Sequence, residues 1–108
     1  MVLTDQEKEL VEKFFATCDT SNSGYIDDEH AKQSTRLLKL IEGVRFHTKG
    51  SSKGKVYLSD LMDYYARLKE GKIENGRNSN EDIYENVLSM MMSRVLRFQK
   101  GPSYDESD

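Results

Sequence analysis

A chain of 108 residues, 36% hydrophobic and 32% charged, holds one small domain with a polar surface and excludes two independent cores. One proline and seven glycines exclude collagen-like and proline-rich classes. Sixteen basic against nineteen acidic residues leave a net charge of −3, which marks neither a polyanion binder nor a strongly acidic protein.

The first predicted element runs from Thr4 to Cys18. Thr4 and Glu7 have the spacing of a capping box, and Leu10, Val11, Phe14, Phe15 and Cys18 line one helical face. Asp19 to Gly24 contains only turn-forming residues, so the helix stops there. A second helix starts at Asp27 and Asp28, whose acids suit a helix N-terminus, and carries Ala31, Leu37, Leu38, Leu40, Ile41 and Val44. It is one long helix or two, with Ser34-Thr35 and Gly43 as alternative breaks. His47 to Lys55 is a Gly/Ser/Lys loop without apolar content. The next helix, with Ser59 as its expected cap, presents Leu61, Met62, Tyr64, Tyr65 and Leu68 and ends at Gly71. After a polar linker, Asn80 is the expected cap of a final helix, with Glu81 and Asp82 in its first turn. That helix places Tyr84, Val87, Leu88, Met91, Val95 and Phe98 on one face and stops at Gly101-Pro102. Met90, Met91 and Met92 span too much of the helical circumference to face one core, so at least one is expected outside it. No segment has a strand period of useful length, and the fold class is all-α.

Aligning the two loops on Gly24 and Gly54 exposes a repeat, Gly24-Tyr25-Ile26 matching Gly54-Lys55-Val56, each followed by a helix. This helix-loop-helix repeat resembles the EF-hand family, the fold of calmodulin, troponin C and myosin light chains. The resemblance covers about residues 5 to 70 and implies a degenerate pair with an additional C-terminal amphipathic helix. Four segments follow: the pair over 1–70, a linker over 71–80, the last helix packing on the pair over 81–101, and an acidic disordered tail over 102–108. The resemblance further implies that Ile26 and Val56 form the short β contact joining the loops. In the first loop Asp19, Ser21, Ser23, the Tyr25 carbonyl and Asp27 match the family's oxygen ligands. The twelfth position holds His30 where the family has Glu, and Glu29 precedes it by one residue. An imidazole cannot chelate a hard cation through two oxygens, so calcium is expected to bind weakly or not at all. The second loop puts Lys49 and Lys53 at ligand positions and is expected to bind no calcium, which leaves Asp60 as a capping acid. Its glycine follows the first after 30 residues, closer than the family's usual spacing.

The family implies a groove between the two hands that takes an amphipathic helix, as light chains take a heavy-chain helix. Phe14, Phe15, Leu37, Ile41, Leu61, Tyr65, Leu68, Met91 and Met92 are the residues expected to meet such a partner, of myosin or cytoskeletal type. The expected function is a non-enzymatic regulatory or adaptor subunit with little calcium dependence. A calcium sensor using the first loop is the alternative, and a structural protein that homodimerises through the Met90–Phe98 helix is a third reading. The final helix, with Arg94, Arg97 and Lys100 beside its apolar face, could itself dock in the groove. His30 and His47 have no partner at a spacing that marks a nucleophile pair or metal triad, so no enzyme is expected. Lys49, Lys53 and Lys55 lack accompanying aromatics, and no nucleic-acid partner is expected. The charged N-terminus, the absence of an apolar run of ~18 residues and a lone cysteine set the expectation of a cytoplasmic protein without membrane contact.

Overall fold

The computed structural model describes residues 3–32, 34–49, 54–73 and 80–106, with side chains described as far as Phe98. The elements in chain order are α1 (Asp5–Cys18), β1 (Tyr25–Ile26), α2 (Asp28–Ala31), α3 (Thr35–Thr48), β2 (Val56–Tyr57), α4 (Leu58–Glu70) and α5 (Asn80–Glu106). The all-α expectation holds, with a two-residue antiparallel contact joining the loops.

Local chemistry sets most boundaries. Thr4 Oγ1 accepts from the Glu7 amide at 3.1 Å while Glu7 Oε1 accepts from the Thr4 amide at 2.9 Å, which starts α1. The second predicted helix is two helices, and the break falls at Ser34, whose hydroxyl accepts from the Leu37 amide at 3.2 Å to start α3. Gly43 continues α3 without interruption. At the end of α4, Gly71 takes the left-handed conformation, with φ of 76°, and its N–H returns to the carbonyls of Arg67 and Leu68.

Three sequence expectations are corrected. Ser59 is not the cap of α4, because the helix begins at Leu58 and Asp60 Oδ2 takes the Tyr57 amide at 3.1 Å from inside the first turn. Asn80 is the first residue of α5, and its amide group instead brackets Ile73, accepting from the Ile73 N–H and donating to the Ile73 carbonyl, both at 2.9 Å. The third correction concerns the end of α5, whose helical backbone runs through Gly101-Pro102 to Glu106. Residues 107–108, most of the expected linker (74–79) and Lys53 lie outside the described residues.

β1 and β2 pair with Ile26 opposite Val56 and Tyr25 opposite Tyr57. Both glycines that precede them have positive φ, 93° at Gly24 and 87° at Gly54, which turns each loop into its strand at no side-chain cost. Ile26 and Val56 enter the core, with β1 lying against α2 and β2 against α3 and α4. α5 packs on α1 and α4 and supplies Val87, Met90, Met91 and Val95 to the same core. No helix among the described residues is long and apolar enough to cross a membrane.

Candidate functional site

The first loop folds around its own side chains. Asp19 Oδ1 accepts from the Ser23 amide at 2.9 Å and lies 2.8 Å from Ser23 Oγ, and Oδ2 accepts from the Gly24 amide at 2.7 Å. Burial would raise the Asp19 pKa, but these bonds and the nearby His30 outweigh it and hold the carboxyl below its ordinary range. Asp27 Oδ1 caps α2, accepting from the amides of Glu29 at 3.0 Å and His30 at 3.3 Å. Its pKa is also lowered, burial again being outweighed by bonds and charge from His30.

His30 closes the loop. Its ring places Nδ1 3.0 Å from Asp27 Oδ1, while Nε2 sits 3.2 Å from Ser21 Oγ and 3.8 Å from Asp19 Oδ1. The imidazole thus bridges the loop's two carboxylates. Glu29 turns away, its largely exposed side chain held 3.3 Å from Lys32 Nζ. The Tyr25 carbonyl lies 3.0 Å from Ser23 Oγ. Asp19, Ser21, Ser23, Tyr25, Asp27 and His30 are therefore brought together, and Glu29 is not. The twelfth side chain offers a ring nitrogen where a hard cation prefers two carboxylate oxygens. Among the described residues no group of three or more His, Cys, Asp and Glu side chains is placed to hold a metal ion.

The residues expected to line a partner groove occupy a different environment from the one foreseen. Phe14, Phe15, Leu37, Ile41, Leu61, Tyr65, Leu68 and Met91 are all buried. α5 brings a matching apolar face onto α1 and α4, and a chain of this size covers that much hydrophobic surface from within. Tyr84 stacks on Tyr65 with ring centroids 5.0 Å apart. Met92 lies on the far side of α5 and is 47% exposed, as are Leu96 and Phe98 to similar extents, so the methionine run does divide between core and surface.

A cleft of about 660 Å³ remains between α3 and the first half of α5. Its lining includes the apolar Leu40, Val87 and Met90, the ring of Tyr64, and the charged Arg36, Lys39 and Asp82. Several relationships had no signal in the sequence. His47 Nε2 meets Asp63 Oδ2 at 2.7 Å across 16 residues, and Arg94 donates from Nε to Thr17 Oγ1 at 2.8 Å across 77. Cys18 is buried, which pushes its thiol pKa up against the opposing charge of Arg94 and leaves it a poor nucleophile.

No family model matches the chain, and neither a curated protein nor a solved structure matches it.

Proposed function

We propose that the protein is a non-enzymatic adaptor of the degenerate EF-hand kind, which holds an amphipathic helix between α1 and α4 without requiring calcium. The observation that carries this reading is α5 itself. An amphipathic helix of the chain already lies on α1 and α4, with Val87, Met91 and Val95 turned inward. A groove that accepts this helix has the shape and apolarity to accept a partner's helix of like pattern, with α5 as the displaceable occupant. The first loop supports the calcium-independent form, since its twelfth residue, His30, brings a ring nitrogen beside Asp27 where a cation-binding loop would bring two oxygens. The cytoplasm is the setting this function implies.

Met91→Glu in the full chain tests it. A carboxylate at a fully buried position of α5 expels that helix. The expected result is a variant that keeps the helicity of α1, α3 and α4 and saturably binds a synthetic peptide of residues 80–98, which the unaltered chain does not bind. If Met91→Glu melts the whole chain in one transition and captures no peptide, α5 is a fixed member of the core and the reading fails.

A further inference from the structure

A second cleft, of about 590 Å³, opens where the first loop and α2, the start of α3 and the later part of α5 meet. Its lining includes Thr20, Lys32, Ser34, Leu37, Arg94 and Arg97. Three cationic side chains face one carboxylate there, that of Glu29, which Lys32 holds at 3.3 Å. The two arginines have no acidic partner among the described residues.

Arg94 is not a loose surface side chain. Nε donates to Thr17 Oγ1 at 2.8 Å, Nη2 donates to the Thr17 carbonyl at 3.2 Å, and the guanidinium lies 5.0 Å from the centre of the Phe98 ring. These contacts fix its plane yet use only part of its donor set, and every partner is neutral. A half-buried guanidinium fixed this way and lacking a carboxylate is preorganised for an external oxyanion. Ser34 adds a donor, because its hydroxyl oxygen accepts from the Leu37 amide and keeps its own proton free. α3 has no acidic residue in its first turn, so nothing there offsets the positive end of the helix.

We propose that this cleft binds a small phosphate monoester. The cationic excess suits a dianion, and the planar fork of Arg94 beside Arg97 suits phosphoryl oxygens. The cleft also has room beyond a phosphoryl group, with Leu37 as an apolar wall for the organic part of the ester. Glu29 opposes the ligand both by its charge and by tethering Lys32. The site lies outside the helix groove, but Arg94 and Arg97 belong to α5, so it is complete only while α5 stays docked on α1 and α4.

Titration of the full chain at low ionic strength with phosphoserine, inorganic phosphate and serine, followed by amide and arginine Nε NMR, tests the assignment. Phosphoserine is expected to bind saturably, shifting Thr20, Ser34, Leu37 and the Arg94 Nε signal, more tightly than inorganic phosphate, and serine is expected to shift nothing. Arg97→Gln, at an exposed position that does not endanger folding, weakens binding about tenfold, as does Arg94→Gln, while Glu29→Gln strengthens it about threefold. Lys72→Gln, a surface change elsewhere, leaves it unaltered. Absence of saturation by about 10 mM phosphoserine, an equal loss in Lys72→Gln, or weaker binding by Glu29→Gln overturns the site. Inorganic phosphate binding as tightly as phosphoserine overturns the monoester.

Discussion

Glu7 and Tyr84, 77 residues apart in the chain, are joined by a 2.9 Å hydrogen bond from the tyrosine hydroxyl to Glu7 Oε2. Glu7 Oε1 also takes the Lys69 ammonium at 2.6 Å and the Thr4 amide at 2.9 Å. One carboxylate on the first turn of α1 therefore ties α1, α4 and α5 together at the edge of the core.

This knot predicts the acid response. Burial would raise the Glu7 pKa, but bonds from Lys69, Thr4 and Tyr84 outweigh it and bring it down from 4.5 to about 2. A carboxylate depressed in the folded state contributes stability that is present above its unfolded value and is lost as pH falls through its folded one. Stability is thus expected to be flat from neutral pH to about 5 and to fall between 4.5 and about 2. Glu7→Gln should cost about 2 kcal/mol at pH 7 and flatten that acid limb. Urea denaturation of both chains across this range is the check, and an unchanged limb would remove Glu7 from the account.

Tyr65 buries its hydroxyl with no hydrogen-bond partner among the described residues. Burial, together with the neighbouring Tyr84 hydroxyl and Glu7, drives its phenol pKa well above the ordinary value, although by geometry the Tyr65 hydroxyl makes no hydrogen bond to either. A buried donor left unsatisfied costs free energy, and its removal recovers some. Tyr65→Phe is expected to keep the stack on Tyr84 and to stabilise the chain by about 1 kcal/mol, measured by denaturant midpoint. Destabilisation would mean the hydroxyl has a partner.

Gly43 sits where α3 meets Tyr64. A Cβ added there would stand 2.5 Å from Tyr64 Oη and 3.1 Å from Cζ. Gly43→Ala therefore forces the buried Tyr64 ring to move and should cost about 1–3 kcal/mol despite the better helix propensity of alanine. Tyr64→Phe removes the nearest atom and should rescue part of that cost in the double variant. A double-mutant cycle in thermal unfolding reads the coupling, and simple additivity would contradict the close approach.

His30 occupies the place that a cation-binding loop gives to a bidentate carboxylate. His30→Glu replaces nitrogen by two oxygens and adds a negative charge facing Asp19 and Asp27. The expected calorimetry is little or no heat from the unaltered chain at micromolar calcium and saturable binding by the variant, with amide shifts confined to Asp19 through His30. Without calcium the variant should be the less stable of the two, because the three carboxylates repel. If the variant gains nothing, the loop does not wrap a cation in the manner the resemblance implies.

Much of the local structure was legible from residue chemistry. The Thr4/Glu7 capping box, the turn residues of the first loop and the glycine at 71 each act within a few residues, so their consequences are written beside them in the chain. The opposition of Ile26 and Val56 was expected only through the resemblance that the two glycine loops suggest. Ser59 and Asn80 misled because several polar residues near a helix start compete for the same amides, and the three-dimensional neighbour decides which one wins. Asn80 was drawn to Ile73, seven positions back.

The sequence by itself determined the helices and their apolar faces, since periodicity and capping are short-range properties. Whether the groove between α1 and α4 stands open was decided only by the tertiary structure, because the burial of Phe14, Leu61 and Leu68 depends on α5 returning across a linker. The same return sets Tyr84 on Glu7 and Arg94 on Thr17, each across 77 residues. No periodicity records a contact of that range. It arises because two amphipathic faces, each exposed to water when alone, lower the free energy by covering one another.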